Sequence, residues 1–167
     1  MHVLYGHDDE ITCIDINLDL DMIFSGSKDG TCIIHSLQRG RYVRSIIPDN
    51  SSRKTINLVK ISPDGHLILY SIKKKQIWVY TINAEFVCSC NSDNVIQCWD
   101  ISKNSEFLIS GDNYGILTFR NLHSLQVFKQ FELEGEISSL MISVDEKYLF
   151  IGHDKGKISV GLLLFLI

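Results

Sequence analysis

The sequence predicts an all-β protein, a β-propeller made of four-stranded antiparallel blades. One unit is present four times, and its copies align without gaps from Ile11, Ile56, Ile96 and Ile137. A spacing of roughly 40–45 residues is typical of solenoids and propellers. Within each copy, apolar residues occupy every second position, as at Ile14 and Ile16, so they lie on one face of a strand. The repeat and the alternation together predict about four radially arranged blades.

Each unit contains four short apolar runs, separated by residues that favour tight turns. Asp, Asn, Gly, Ser and Lys dominate these breaks, as expected between antiparallel strands. In the first unit the predicted strands span residues 11–17, 22–26, 31–37 and 41–47. The sequence has 2 prolines and no sustained helical periodicity, which argues against helical repeats of similar length. We predict blades over residues 6–47, 50–90, 91–131 and 132–163.

Composition and charge exclude several classes of protein. Hydrophobic residues make up 45% of the chain and charged residues 22%, which excludes disordered and low-complexity sequences. The net charge of −4 argues against a general nucleic-acid binder. The 5 cysteines and the lack of an apolar N-terminal segment favour a reducing compartment. The longest apolar run, Leu162–Ile167, is too short to cross a bilayer. We therefore expect a cytoplasmic protein, free or peripheral on intracellular membranes.

Two segments of the first unit resemble the WD-repeat family. Residues 5–7 read Tyr-Gly-His, and residues 25–31 read Ser-Gly-Ser-Lys-Asp-Gly-Thr. The resemblance implies a structural hydrogen-bonded network whose members are His7, Ser25, Asp29 and, at the position that the family gives to Trp, His35. At the Asp position, the later units carry Lys74, Tyr114 and Lys155. The network is therefore expected only in the first blade.

Two dipeptides look like further family motifs but fall at other positions of the repeat. Trp99-Asp100 aligns with the first strand of a unit, whereas the family's Trp-Asp closes the third strand. Gly152-His153 aligns with the end of the second strand, whereas the family's Gly-His precedes the first strand. Neither dipeptide predicts a further copy of the network.

The stretch from Gly6 to Ile46, with the more degenerate units after it, looks like the C-terminal propeller of neurobeachin-like BEACH proteins. The resemblance implies a non-enzymatic protein-interaction scaffold that acts in vesicle trafficking, membrane-protein localisation and kinase anchoring. We expect other proteins as partners and membrane association through the parent protein. Nucleic acid and small-molecule substrates are not expected.

The number of blades leaves two interpretations open. The family usually closes a ring of about seven blades, so four units predict a partial ring. Residues 1–5 are then the last strand of a preceding blade, and residues 161–167 are an apolar tail. In the alternative, Val3 and Leu4 complete the fourth blade and a small ring closes.

A basic cluster is the candidate docking rim. Lys73, Lys74 and Lys75 replace the usual turn residues between two strands of the second unit, and Arg53 and Lys54 precede its first strand. In a propeller these loops share a face, so the five side chains are predicted to form one rim that docks a protein. Binding of anionic lipid or phosphoinositide is the alternative function. A solvated turn is the simplest interpretation of the lysines.

No motif in the sequence indicates a reaction. There is no nucleophile elbow, no Ser/His/Asp order and no glycine-rich loop that leads into a helix. Cys88 and Cys90 form only a weak zinc motif, because no second pair accompanies them. We therefore predict no catalytic, cofactor-binding or metal-binding residues.

Overall fold

A computed structural model describes residues 3–48 and 54–163 of the chain. It has two compact units, residues 1–91 and residues 92–167. Each unit consists of two antiparallel sheets, in which neighbouring strands follow one another along the chain. The prediction of an all-β protein with blade-like antiparallel sheets is confirmed.

The first unit holds two four-stranded sheets. The first sheet contains β1 (Ile11–Asn17), β2 (Met22–Ser27), β3 (Cys32–Ser36) and β4 (Tyr42–Ile46). The second sheet contains β5 (Leu58–Ile61), β6 (His66–Ser71), β7 (Gln76–Thr81) and β8 (Phe86–Asn91). Side chains from both sheets form the core of this unit, among them Phe24, Ile34, Leu67, Leu69 and Trp78.

The second unit holds one four-stranded and one three-stranded sheet. The third sheet contains β9 (Ile96–Ile101), β10 (Phe107–Asp112), β11 (Ile116–Asn121) and β12 (Val127–Glu132). The fourth sheet contains β13 (Ile137–Ile142), β14 (Tyr148–His153) and β15 (Ile158–Leu162). The core of this unit includes Ile109, Leu117, Phe119, Leu149 and Ile151.

The two ends of the chain differ from the prediction. Residues 3–5 lie outside every strand, although residues 1–5 were predicted as a strand. A strand needs a neighbouring ladder, and in the described residues no ladder includes this segment. Gly161 and Leu162 belong to β15, so the start of the predicted apolar tail is the end of a strand. Residues 1–2 and 164–167 lie outside the described residues.

Within each unit, the two sheets meet at a closely packed contact that we call a sheet joint, formed by a Gly, a Cys and an Ile. A Cβ placed on Gly26 would lie 2.7 Å from Cγ2 of Ile56 and 2.6 Å from Sγ of Cys13. The same repeat positions meet in the second unit, since a Cβ on Gly111 would lie 2.4 Å from Cγ2 of Ile137. Only glycine allows the isoleucine to approach the sheet this closely.

A carboxylate reinforces each sheet joint. Asp15 in β1 accepts a hydrogen bond of 2.9 Å from the backbone N–H of Ile61 in the next sheet. Asp100, at the same repeat position in β9, accepts one of 2.9 Å from the N–H of Ile142. A charged acceptor makes these bonds stronger than neutral ones.

Among the described residues, no helix has the length and apolar character needed to cross a membrane.

Candidate functional site at the loop edge of the first unit

Loops of the first unit are hydrogen-bonded to one another along one edge of its two sheets. We call the loops at residues 6–10, 28–31, 54–57 and 72–75 the loop edge. Among the bonds that connect them are those from Lys28 N–H to the Glu10 carbonyl (2.9 Å), from Ile56 N–H to the Ser27 carbonyl (3.0 Å) and from Ile72 N–H to Asn57 Oδ1 (2.9 Å). The loop before β1 and the lysine turn after β6 therefore lie on the same edge.

His7 is the centre of a buried polar network at this edge. Its Nε2 is hydrogen-bonded to Ser25 Oγ at 2.9 Å, and its Nδ1 lies 3.1 Å from Asp29 Oδ2 and 3.0 Å from Thr31 Oγ1. The His7 side chain is almost fully buried. Its ring thereby ties the loop before β1 to β2 and to the turn before β3, which fixes the shape of the edge. Thr31 belongs to the network although only its place in the turn motif was noted from the sequence.

Asp29 organises the turn between β2 and β3. Its Oδ1 accepts hydrogen bonds from the N–H of Thr31 at 2.7 Å and from the Thr31 hydroxyl at 2.6 Å. Its Oδ2 accepts one from the N–H of Asp8 at 3.0 Å. Burial disfavours the ionised carboxylate, but the hydrogen bonds from Thr31, Asp8 and His7 outweigh it and hold the pKa of Asp29 below its ordinary value.

His35, which the resemblance assigned to the network, contacts Tyr5 and Tyr42. Its Nε2 donates a hydrogen bond of 3.1 Å to the carbonyl of Tyr5, and its ring meets that of Tyr42 edge-on. Nδ1 of His35 is buried without a hydrogen-bond partner among the described residues. The third-strand position thus anchors the segment that enters the sheet, whereas His7 reaches the serine and the aspartate.

A cavity of about 200 Å³ opens beside His7. Its walls are mostly apolar, and its lining comprises Leu4, Tyr5, Gly6, His7, Asp9, Ile11, Ile14, Ile23, Ser25 and His35. This volume is smaller than the roughly 300–1,000 Å³ of ordinary small-molecule pockets. It matches the size of a single inserted side chain, and the exposed Tyr5 is one of its lining residues.

The predicted basic rim lies partly on the loop edge. Lys54, Lys73 and Lys75 are exposed, and Lys74 is half-buried. The hydrogen bond between Ile72 and Asn57 holds the lysine turn against the segment that carries Lys54. Arg53, the fifth member of the predicted rim, lies outside the described residues.

Lys75 occupies a turn position that favours glycine. Its φ is +50°, and the equivalent residues Gly30, Gly115 and Gly156 have φ values of +82°, +85° and +72°. A side chain in this left-handed region costs about 1–2 kcal/mol. Lys75 therefore holds a backbone conformation that a residue with a side chain disfavours.

The third sheet has polar contacts in and beside its β10–β11 turn that the sequence alignment missed. Oδ1 of Asp112 accepts hydrogen bonds from the N–H of Tyr114 at 2.9 Å and of Ile116 at 2.8 Å. Arg120, at the repeat position of His35, donates to Ser110 Oγ at 2.8 Å. These contacts differ from the His7 network that was expected in the first blade alone, since Asp112 caps its turn from a position two residues earlier than Asp29. The sequence feature that could have predicted this cap is Asp112 itself, which stands at the repeat position of Ser27.

The motif-like dipeptides lie where the alignment placed them. Trp99 and Asp100 are in β9, the first strand of the third sheet, and the Trp99 side chain is buried. His153 ends β14 and its Nε2 is 2.9 Å from Ser159 Oγ.

The five cysteines, all among the described residues, are free thiols. Burial raises the pKa of Cys98 to about 12, and a weaker hydrogen bond from the Gly111 N–H opposes this effect. The Cys88 thiol is half-buried, and burial followed by the neighbouring Cys90 raises its pKa. Such thiols stay protonated near neutral pH, which suits packing rather than nucleophilic attack.

Known proteins resemble this chain along almost its whole length. BEACH domain-containing protein B of Arabidopsis thaliana is 35% identical over 159 residues, which cover 95% of this chain and 6% of that protein. BEACH domain-containing protein lvsE of Dictyostelium discoideum is 28% identical over 170 residues, covering 94% of this chain and 8% of that protein. The chain thus spans less than a tenth of the length of these relatives.

Solved structures show the same fold. The computationally designed Ika4 protein superposes with a TM-score of 0.77 at 17% identity, covering 96% of both chains. The computationally designed Ika8 protein gives 0.76 at 17% identity, with 95% of this chain and 48% of that one covered. The family model of the neurobeachin beta propeller domain matches residues 1–164. The antiparallel blades, the loop-edge network and these matches lead to one conclusion: the chain belongs to the neurobeachin beta propeller domain family.

Proposed function

We propose that this chain is a non-enzymatic protein-interaction scaffold and that the loop edge of its first unit docks the partner. Membership of the propeller family supports an interaction role, since the relatives are BEACH domain-containing proteins. The His7 network supports the location, because it gives the edge a fixed shape before any partner arrives. A rigid edge loses little conformational entropy on binding.

The charge of the loop edge favours a protein partner over a membrane. Asp8 and Asp9 are exposed at its first-sheet end, where Glu10 forms an ion pair with Lys28, and Lys54 and Lys73 are exposed at its second-sheet end. An anionic bilayer would attract the lysines and repel the carboxylates of the same edge. A protein segment with basic and acidic groups in the opposite order complements both ends.

Tyr5 and the neighbouring cavity provide the apolar part of the proposed contact. The Tyr5 side chain is 80% exposed, and it stands beside the cavity of about 200 Å³. Aromatic residues next to pockets of this kind carry much of the binding energy in protein interfaces. This pairing of an aromatic ring and a side-chain-sized cavity is the observation that carries the proposal.

Proximity labelling in cells, combined with vesicle flotation of the purified chain, tests the proposal. The variants are Tyr5→Ala and the double variant Lys54→Glu/Lys73→Glu. Lys147→Glu/Lys155→Glu is the matched control, because both of its lysines are exposed in the second unit. We expect both loop-edge variants to lose a shared set of neighbours that the control keeps.

Flotation with phosphatidylcholine vesicles, with and without phosphatidylserine, distinguishes the scaffold proposal from the alternative function of binding anionic lipid. The scaffold proposal expects no phosphatidylserine-dependent binding at physiological salt. Binding that requires phosphatidylserine and disappears in Lys54→Glu/Lys73→Glu would replace the proposal with anionic-lipid recognition.

The more specific roles extend the same proposal. We place the chain in the cytoplasm, where a longer parent protein would bring it to intracellular membranes for vesicle trafficking, membrane-protein localisation and kinase anchoring. The similarity to BEACH domain-containing proteins supports this assignment. Kinase anchoring predicts kinase activity among the captured neighbours of the wild-type chain, and its loss with Tyr5→Ala.

A further inference from the structure

The first unit has a second set of turns, at the strand ends opposite the loop edge. We call the far edge the turns at residues 18–21, 37–41, 62–65 and 82–85. Hydrogen bonds connect them, from Leu37 N–H to the Asp21 carbonyl (2.9 Å) and from Ile82 N–H to the Gly65 carbonyl (3.1 Å). Turns at strand ends are not part of a sheet face, so they stay accessible when another sheet packs against that face.

The turn between β3 and β4 is the basic part of the far edge. Arg39 and Arg41 are exposed in this turn, and Arg44 follows in β4. Residues 30–48 contain these arginines and no acidic residue. No carboxylate among the described residues forms an ion pair with any of the three. Other exposed basic side chains do have a carboxylate partner, among them Lys28, Lys147 and Lys157.

The carboxylate of Asp21 holds this turn rather than pairing with an arginine. Its Oδ2 accepts a hydrogen bond of 2.8 Å from Ser36 Oγ, and its Oδ1 accepts one of 2.8 Å from Gln38 N–H. A bond of 2.9 Å from Gly40 N–H to the Ser36 carbonyl lies within the same turn. The backbone that carries the two exposed arginines therefore has a defined shape, and a rigid surface loses little conformational entropy on binding.

The turn does not need arginines in order to form. The turns between the third and fourth strands of the other two four-stranded sheets close with the same backbone bond, although their closing residues are Glu85 and Gln126 where this turn has Arg41. Ser124 stands at the repeat position of Arg39. The fold thus accepts acidic and neutral residues at these positions, which leaves the two positive charges available for a partner.

Arg44 adds a fixed positive charge beside the exposed pair. Its Nη1 donates a hydrogen bond to the carbonyl of Asn83, in the neighbouring turn of the far edge. Its Nε is buried without a hydrogen-bond partner among the described residues. At about 3.3 Å per strand residue, Arg44 lies within about 10 Å of Arg41. A neutral carbonyl positions the guanidinium but leaves its charge in place, so Arg44 attracts an anion that the exposed arginines hold.

The other turns of the far edge decide which kind of anion fits. Asp19 and Glu85 are exposed there. A continuous polyanion, such as nucleic acid or an anionic bilayer, would meet these carboxylates beside the arginines. A short acidic protein segment can reach the arginines alone, and each of its carboxylates can accept two parallel hydrogen bonds from a guanidinium. Side chains at alternate positions of an extended segment point the same way, so such a segment presents two carboxylates together.

The acidic run of the second unit already has partners. Glu134 forms an ion pair with Lys157, and Glu136 accepts a hydrogen bond of 2.8 Å from Gln97. Both contacts lie within that unit, so docking of this run on another copy of the chain would have to break them. A different protein is therefore the favoured source of the acidic segment.

We propose that the turn between β3 and β4 is a second docking site, at which Arg39 and Arg41 bind an extended acidic segment of a partner protein. Each of the two guanidinium groups pairs with one carboxylate of the segment, and the charge of Arg44 strengthens the attraction. The site lies at the opposite strand ends from the loop edge, so it does not depend on the function proposed for that edge.

Fluorescence anisotropy of the purified full chain with a labelled peptide tests this site. The probe is a fluorescein-labelled peptide of about twelve residues with alternating glutamate and serine, and the reference probe has glutamine in place of glutamate. At about 50 mM salt we expect saturable binding of the acidic probe alone. The dissociation constant should rise at least about tenfold in Arg39→Glu/Arg41→Glu. Arg39→Lys/Arg41→Lys should lose less, because lysine keeps the charge but not the paired donors.

Two control variants make the test specific. Lys147→Glu/Lys155→Glu introduces the same change of charge at exposed positions of the second unit, and it should bind the acidic probe as the wild type does. Tyr5→Ala, which changes the loop edge, should also leave this binding unchanged, so the two docking proposals can fail separately. Circular dichroism of each variant checks that the fold is retained.

Several results would overturn the proposal. They are a wild type without saturable binding, equal binding of the glutamine probe, and equal weakening in Lys147→Glu/Lys155→Glu. Oligothymidylate or phosphatidylserine vesicles provide the last comparison. If either binds more tightly than the acidic probe and is lost in Arg39→Glu/Arg41→Glu, the site recognises a polyanion or a membrane and not an acidic protein segment.

Discussion

The sheet joint of the second unit makes a quantitative prediction about Gly111. A Cβ at this position would lie 2.4 Å from Cγ2 and 2.8 Å from Cβ of Ile137, whereas carbon atoms in contact normally stay about 3.5–4.0 Å apart. Ile137 is 0% exposed and begins β13, so its side chain has no free space to enter. Gly111→Ala therefore overpacks the joint, and we expect a loss of about 3 kcal/mol in the free energy of unfolding.

A double-mutant cycle connects that loss to the contact itself. Ile137→Ala alone removes buried methyl groups and leaves a cavity, which should cost about 3–4 kcal/mol. In Gly111→Ala/Ile137→Ala the new methyl group enters the space that the isoleucine left. The double variant should therefore lose at least about 1.5 kcal/mol less than the sum of the single variants.

Equilibrium urea unfolding, followed by tryptophan fluorescence and circular dichroism, measures these free energies. Gly156→Ala is the control, because a Cβ there meets nothing within 4 Å while its φ of +72° still disfavours alanine. The loss in free energy of unfolding caused by Gly156→Ala should simply add to the loss caused by Ile137→Ala. Additive behaviour of Gly111→Ala with Ile137→Ala, or a loss below about 0.5 kcal/mol for Gly111→Ala alone, would refute the overpacking argument.

Three further predictions concern single polar or strained residues. The folded-state pKa of Asp29 is below 3.8, so its carboxylate stabilises the fold above that pH and the contribution disappears as the pH falls through the folded-state pKa. Asp29→Asn should therefore be less stable at pH 7 and lose less stability on acidification, as measured by urea titrations at several pH values. Asp100→Ala removes the acceptor for the Ile142 N–H and should cost about 2 kcal/mol, with Asp100→Asn losing less; equal losses would contradict the assignment. Lys75→Gly should raise the free energy of unfolding by about 1 kcal/mol, because it relieves a φ of +50°, and a thermal melt that does not shift upward would count against this strain.

The strands were predictable because their signals are local. Alternating apolar residues and polar breaks predicted strands over 11–17 and 22–26, and the structure has β1 and β2 over Ile11–Asn17 and Met22–Ser27. Turn residues and alternation act over a few neighbouring positions, so the strands of each unit can be predicted from the residues of that unit alone.

The loop-edge network was only partly predictable. The family resemblance named His7, Ser25 and Asp29, which hydrogen bonds bring together through the His7 ring. His35 instead binds the carbonyl of Tyr5, and the capping residue Asp112 of the third sheet escaped notice. Ungapped alignment compares equal positions, but a carboxylate can cap a turn from more than one position.

The sequence by itself determined the repeat, the strands and the identity of the residues at each repeat position. Only the tertiary structure decided which of these equivalent residues are buried. Ile11, Ile56 and Ile137 are the same amino acid at the same position, yet Ile11 is 54% exposed whereas Ile56 and Ile137 are 1% and 0% exposed. Burial depends on whether another sheet lies against the strand, and that is a property of the neighbour rather than of the residue.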